Sequence, residues 1–485
     1  MTNWKIQIVL AATAIALVAG LALAQSPEMI EERRAVGFVR AVGAGDVDAL
    51  LAYMDENWTP AEEGDGRAAR WAQLARDLTD RHTGIEVTGV LVERQHEIIV
   101  LAEGDGGPPL QFIFDCETEP PYRIAGLGIE AGEHRSGPEL PELQIAADAG
   151  VDDIAAVLGK WFQRLADDDA FSGSALIAWK GQTIFEGAWG LASKRWDVPN
   201  SLATRFDLGS INKSFTQIAV AQLAEQGKLS FDDLIVEHLP EYPNADVAGK
   251  VTIRQLLNHS SGLGDIFTDE FFRSSKALYR SPRDFFPLFA DQPLQFEPGS
   301  DRSYSNAGYM VLGAIIEAVS GQPYDEYVVD SIFFPAGMTN SGFFANDEPV
   351  PNVAVGYTRM TPQGKSDTWR NNLFQLPIKG NSAGSAQATA GDLLRFDEAL
   401  REHRLLSPGY TLWYFGGEEP GKDTPAARDE RVMAGTGIAG GAPGVSADLE
   451  GDGELTVIVL SNYDPPIAEA VAQQLFKQLG RALGE

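Results

Sequence analysis

Cysteine is almost absent: Cys116 is the only one in 485 residues, so no internal disulfide, zinc finger or iron–sulfur cluster can be assembled from thiolates. Positive charge is also short, with 38 Lys and Arg against 69 Asp and Glu. The resulting net charge of -31 repels phosphate backbones and excludes nucleic acid as a partner. The six histidines are scattered, and no spacing among them suits a metal. The acidic stretch Asp448 to Asp452 lacks the later bidentate glutamate of a calcium loop and reads as a hairpin turn. There is no internal repeat, no low-complexity tract and, after the first 25 residues, no apolar run of membrane-spanning length. With 44% hydrophobic residues, the chain has ample material for a buried core.

The amino terminus reads as a secretory signal. Lys5 precedes an apolar run from Ile8, and Ala22-Leu23-Ala24 ends it before Gln25. Residues 1–25 are therefore expected to be removed on export, leaving a periplasmic protein with no membrane contact. An uncleaved anchor is the alternative, because the run is of marginal spanning length.

Composition divides the remainder. Over 26–132, Phe38, Val39, Val42, Leu50 and Leu51 predict a helix pair broken at Gly43-Ala44-Gly45-Asp46. Short β-branched runs follow at Ile85 to Val92, Glu97 to Glu103, Leu110 to Glu117 and Tyr122 to Ile129. This is a small α+β unit. Residues 133–150, with Gly137, Pro138 and Pro141, read as a linker. In 151–485 a helix from Val151 leads into a hairpin around Lys180-Gly181, and the chain ends in a hairpin around Gly451-Asp452-Gly453 followed by an amphipathic helix. The two hairpins are expected to pair into one antiparallel sheet with the terminal helices on one face.

Ser210-Ile211-Asn212-Lys213 opens a helix with apolar Ile211, Phe215, Ile218 and Leu223 that stops at Gly227. A serine at a helix N-terminus gains backbone donors for an oxyanion, and a partly buried lysine one turn on can take its proton. The plain alternative is a helix-start serine with a solvated lysine. Tyr304-Ser305-Asn306 lies at a loop-to-helix junction. There a phenol can relay a proton, and an amide can hold either a substrate carbonyl or the lysine. Asn306 alone could equally be a helix cap. Gly380-Asn381-Ser382-Ala383-Gly384 fits a nucleophile elbow but lacks the strand before and the helix after, so it reads as a loop lining the site. Gly435 to Gly440 matches G-x-G-x-x-G without a following helix, which leaves no dinucleotide site. His259 reads as a buried structural residue.

In order along the chain, Ser210-x-x-Lys213, Tyr304-x-Asn306 and a glycine-rich stretch before a terminal hairpin resemble the serine β-lactamase and penicillin-binding protein superfamily, in its class C-like branch. Ile253 to Leu263, Phe334-Pro335-Ala336-Gly337-Met338 and Leu460-Ser461-Asn462-Tyr463 are similar to that branch as well. The resemblance covers roughly 152–480. It implies an α+β fold, an antiparallel sheet flanked by helices with a helical subdomain, and no metal or organic cofactor. It also implies Ser210 as acyl-accepting nucleophile, Lys213 as its base, Tyr304 as proton relay and Asn306 as a substrate contact. The backbone N–H groups of Ser210 and Gly441 would form the oxyanion hole, with Gly440 and Ile438 facing the substrate. At Ile438 the sequence departs from the family, which has Lys or His there. The lost cation points away from carboxylate-bearing substrates and towards neutral esters or amides, small or peptide-like. The expected function is an exported serine hydrolase, esterase or peptidase-like ahead of β-lactamase; the alternative is a binding protein that keeps the fold without turnover. The first unit resembles a cone-shaped SnoaL-like domain, related to nuclear transport factor two, in its helix motif and element order, which implies an accessory role.

Overall fold

The computed structural model describes residues 27–59, 67–94, 97–104, 110–117, 120–131, 140–146, 149–361, 364–420 and 431–483. The expected signal and half of the expected linker lie outside them. The chain forms two compact units, Met1–Ser136 and Gly137–Glu485.

In the first unit, α1 (Pro27–Gly43) and α2 (Val47–Asn57) are the expected pair. Between them Gly45 takes φ +72°, and Asp46 caps α2 by accepting from the Ala49 N–H at 3.1 Å. A third helix, α3 (Arg67–His82), falls where no element is expected; its apolar Trp71, Leu74 and Leu78 are diluted by charged residues. Strands β1 (Glu86–Arg94), β2 (Glu97–Glu103), β3 (Leu110–Cys116) and β4 (Ile124–Ala131) form an antiparallel meander in that order. Period-two alternation puts Ile98 and Val100 opposite Phe114 and Phe112 on the core face, where they meet Phe38, Val42, Leu50 and Met54. Cys116 is buried in this core.

The second unit is organised by a five-stranded antiparallel sheet. Helix α4 (Val151–Asp167) precedes β5 (Gly173–Trp179) and β6 (Gln182–Trp189). From the far end of the sequence come β7 (Thr436–Ala442), β8 (Val445–Gly451), β9 (Leu455–Ser461) and the terminal helix α9 (Ile467–Leu483). The order β7-β8-β9-β5-β6 places β9 against β5 in the register Val457↔Ile177 and Val459↔Ala175. The hairpins from the two ends therefore pair as expected. Asp452 accepts from the Glu454 and Leu455 N–H groups, which accounts for the acidic turn.

Alternation then assigns the two faces. Ala175, Ile177, Val457 and Val459 meet Leu158, Phe162, Leu475 and Leu479 of α4 and α9. Leu176, Ala178, Ile458 and Leu460 meet the helical layer. In that layer α7 (Asn306–Ser320) is buried on every side from Asn306 to Ile316, and α5 (Asn212–Glu225) is buried from Asn212 to Leu223 except at Gln217. Phe215 of α5 is fully buried between the rings of Phe333 and Phe396, both edge-on at 4.9 Å, and its burial contributes about 2–3 kcal/mol. The short helix α6 (Ile253–Leu257) and α8 (Ala390–Arg401) complete the surroundings of the site. Among the described residues no helix is long and apolar enough to cross a membrane, and no group of His, Cys, Asp and Glu is arranged to hold a metal.

Candidate active site

Ser210 does not open α5 itself. It sits in a 3-10 turn, Gly209–Ile211, that runs directly into the helix, so Lys213 is the second residue of α5. Gly209 adopts φ +49°, a conformation few side chains tolerate. The Asp207 carboxylate braces the turn by accepting from the Gly209 N–H at 2.8 Å, and burial pushes that carboxyl up to about 6.

Two side chains converge on Ser210. Its Oγ lies 2.7 Å from the Tyr304 hydroxyl and 3.2 Å from Lys213 Nζ. The lysine is 6% exposed and also donates to Asn306 Oδ1 at 2.8 Å and to the Ala383 carbonyl at 2.6 Å. Burial brings its ammonium down to about 7, against a smaller opposing pull from the Asp265 carboxylate. Near neutral pH a large fraction of the amine is therefore free base. The Tyr304 side chain is half open to solvent, its hydroxyl rests on Ser210 Oγ, and partial desolvation holds that hydroxyl above the usual phenol range.

The second motif is held by the loop after α6. Ser305 caps α7, its Oγ accepting from the Gly308 N–H at 2.9 Å, so Asn306 is the first helical residue and not the cap. The Ser305 N–H donates to His259 Nδ1 at 3.2 Å, and the Ser305 hydroxyl donates to the Gly264 carbonyl at 2.7 Å. His259 stacks on Tyr304 with ring centroids 4.7 Å apart, and burial keeps it neutral down to about 4. Asn306 turns both ends of its amide inward, Oδ1 to Lys213 and Nδ2 to the Asp265 carboxylate at 2.9 Å.

The third motif lies on β7, an edge strand of the sheet. A Cβ on Gly440 would collide with the Leu208 carbonyl oxygen and stand 2.9 Å from the Ser210 backbone nitrogen. The absence of a side chain is what lets the strand touch the Ser210 turn; Gly440 is buried there instead of facing open space. A Cβ on Gly209 would in turn lie 2.8 Å from the Gly441 nitrogen, which places that N–H donor beside the same turn. Ile438, two residues before Gly440 and on the same face, is partly buried against the helical core.

Sequence reasoning missed Asp265, Asp207 and the Ala383 carbonyl. Asp265 sits just beyond Ser261-Gly262-Leu263, but nothing in its spacing ties it to Asn306, 41 residues on. The Gly380 to Gly384 loop does line the site, yet Ser382 is fully buried, its hydroxyl turned to Met310.

A family model described as Beta-lactamase matches residues 158–480. Among solved structures, a penicillin-binding protein from Bacillus halodurans is 33% identical, with a TM-score of 0.56, over 65% of this chain and 99% of that one. A D-amino acid amidase from Ochrobactrum anthropi SV3, solved with L-phenylalanine amide, is 25% identical with a TM-score of 0.52, over 67% and 97% of the two chains. A class C beta-lactamase shares the fold, at 18% identity and a TM-score of 0.52, over 69% and 98%. The chain spans about half the length of the curated relatives it matches. With two thirds of its length under one family model and a helical layer and antiparallel sheet matching those of a penicillin-binding protein, the chain belongs to the beta-lactamase family.

Proposed function

We propose that the protein is an exported serine hydrolase that forms an acyl-enzyme at Ser210 and acts on a neutral ester or amide. The observation that carries this is the Ser210 hydroxyl held by both a tyrosine hydroxyl and a buried lysine whose ammonium burial brings down to about 7. In the acylation step Ser210 Oγ attacks the substrate carbonyl while its proton passes to Lys213, directly or through Tyr304. The negative charge on the carbonyl oxygen is met by the N–H groups of Ser210 and Gly441. Collapse of the intermediate breaks the bond to the alcohol or amine, and that leaving group takes the proton back through Tyr304. Water then adds to the acyl-enzyme by the same route in reverse and releases the acid.

Ile438 supports the choice of substrate. The apolar side chain offers no partner to a carboxylate, so penicillins and peptide stems lose the group that would anchor them, whereas a neutral ester or amide loses nothing. The solved amidase, whose ligand is an amide with no free carboxylate, agrees with this choice. The leader at residues 1–25 supports export to the periplasm. The described residues of the first unit form three helices and a four-stranded antiparallel sheet, which is compatible with a SnoaL-like accessory domain.

Intact mass of residues 26–485 after exposure to a fluorophosphonate and, separately, to a penicillin tests the proposal, with Ser210→Ala alongside. The expected result is a fluorophosphonate adduct that Ser210→Ala abolishes, and little or no penicillin adduct. A strong penicillin adduct would move the substrate class back to lactams despite Ile438. No adduct from a folded protein would leave a non-catalytic binding protein.

A further inference from the structure

A lysine that serves as a base must aim its single lone pair at the proton it takes. Lys213 donates hydrogens to two oxygens, Asn306 Oδ1 and the Ala383 carbonyl, and its third neighbour is Ser210 Oγ. With both N–H groups of the neutral amine engaged, the lone pair is left facing the serine hydroxyl. This holds only while Asn306 presents its oxygen. A flipped amide would turn its NH2 towards Lys213 and compete with Ser210 for the lone pair.

Asp265 decides between the two orientations. An ionised carboxylate has acceptors only, so the group facing it from Asn306 must be the NH2, and Oδ1 must then face Lys213. The carboxylate is itself fixed by the Phe267 N–H, which donates to Oδ1 at 3.1 Å, and Gly264 before it is tied to Ser305. We propose that Asp265 is a positioning residue: it locks the Asn306 amide and, through it, aims the Lys213 lone pair at Ser210. This rests on the hydrolase proposal for its consequence in rate, though the geometry of Lys213 is independent of it.

Asp265 has a second effect through its charge. Lys213 is faced by Ser210, by the Tyr304 and Tyr309 rings, and by His259 and Asp265 from the loop after α6; Arg302 acts on His259 and Tyr309. Above about pH 4 His259 is neutral, and burial holds both tyrosines above their usual range, so Asp265 is the anion that favours the lysinium. Because the base is the neutral amine, the rate rises with pH through the lysine's value near 7. Removing the carboxylate lets the ammonium lose its proton more readily, and the acid limb moves to lower pH.

The test is the pH profile of Ser210 modification by a fluorophosphonate in the full chain, for wild type, Asp265→Asn and Asp265→Glu. Asp265→Asn is expected to lower the plateau about tenfold, since an amide no longer forbids the flip, and to move the acid limb down by about one pH unit. Asp265→Glu restores the wild-type limb. A residue that merely braces the loop would change the plateau and leave the limb in place in both variants, which overturns the proposal. The Lys213 titration followed by 13C NMR in wild type and Asp265→Asn separates the two levels. If wild type forms no adduct, the hydrolase proposal fails, yet a lowered lysine titration in Asp265→Asn still upholds the contact between Asp265 and the lysine on which the positioning role depends, and an unchanged one refutes it.

Discussion

The two halves of the site are built from different materials. Ser210, Lys213, Tyr304 and Asn306 stand at the starts of two helices buried on nearly every side, and their chemistry lies in side chains linked by hydrogen bonds of 2.7–3.2 Å. The opposite wall is an edge strand whose contribution, through Gly440 and Gly441, is backbone alone. Substitution acts differently on the two. Under the proposed mechanism the residue type matters in the helical half, whereas on β7 a side chain such as Ile438 can change while the backbone N–H groups remain. The departure from the family pattern, Ile438, falls on the half that meets Ser210 through its backbone, as the hydrolase proposal requires.

The largest effect should come from making the backbone half sensitive to a side chain. In Gly440→Ala the new methyl meets the Leu208 carbonyl oxygen, which cannot swing aside as a flexible side chain would, so β7 must move away from the nucleophile turn. Separating the Gly441 N–H from Ser210 removes one oxyanion donor, and kcat is expected to fall about 10^3-fold with little change in KM. Steady-state kinetics on a nitrophenyl ester would show this. A Gly440→Ala enzyme of near wild-type rate would mean that the oxyanion is held elsewhere.

The contrast also explains what was legible in the sequence. Ser210, Lys213, Tyr304 and Asn306 are readable because Ser-x-x-Lys and Tyr-x-Asn stand in the family's order along the chain, and the fold brings the four within hydrogen-bond reach of one another. The terminal hairpins, too, are visible as alternating runs punctuated by glycine turns. Helix α3 was hidden because its few apolar positions are outnumbered by charges and its stability comes from packing on the first unit's core. Asp265 was hidden for another reason: it reaches Asn306 through a loop, where contact depends on the path of the chain and leaves no periodic trace. The placement of Ser210 in a 3-10 turn ahead of α5 follows from the left-handed Gly209, whose conformation the residue type permits but does not announce.

A middle-sized effect tests how the edge strand is held. Arg401 of α8 is fully buried, paired with the equally buried Asp397 at 2.9 Å, and donates to the carbonyls of Val432 and Ala434 and to Thr436 Oγ1. It thus fixes the segment that feeds β7, the counterpart for the strand of what Asp265 does for the second motif. Arg401→Met leaves Asp397 buried without its cation and should destabilise the second unit by about 3 kcal/mol. Thermal unfolding would register a drop of several degrees, and Asp397→Leu added to it should recover part of the loss, because the uncompensated charge is then gone. An unchanged melting temperature in the single variant would show that the strand is anchored by its pairing with β8 alone.

The smallest effect is the most informative about substrate. Ile438→Lys restores a cation on the face of β7 that, two residues on, touches the Ser210 turn. Acylation by a penicillin, which carries a carboxylate, should rise about tenfold, since a charge-assisted contact contributes on the order of 1.5 kcal/mol where it is partly shielded from water. The neutral ester gains no partner and loses an apolar contact, so its kcat/KM should fall two- to three-fold. Opposite signs for the two substrates would assign Ile438 to specificity. A rise for both would instead mean that the wild-type site is impaired by the substitution, and equal rates throughout would mean that Ile438 faces the core and not the substrate.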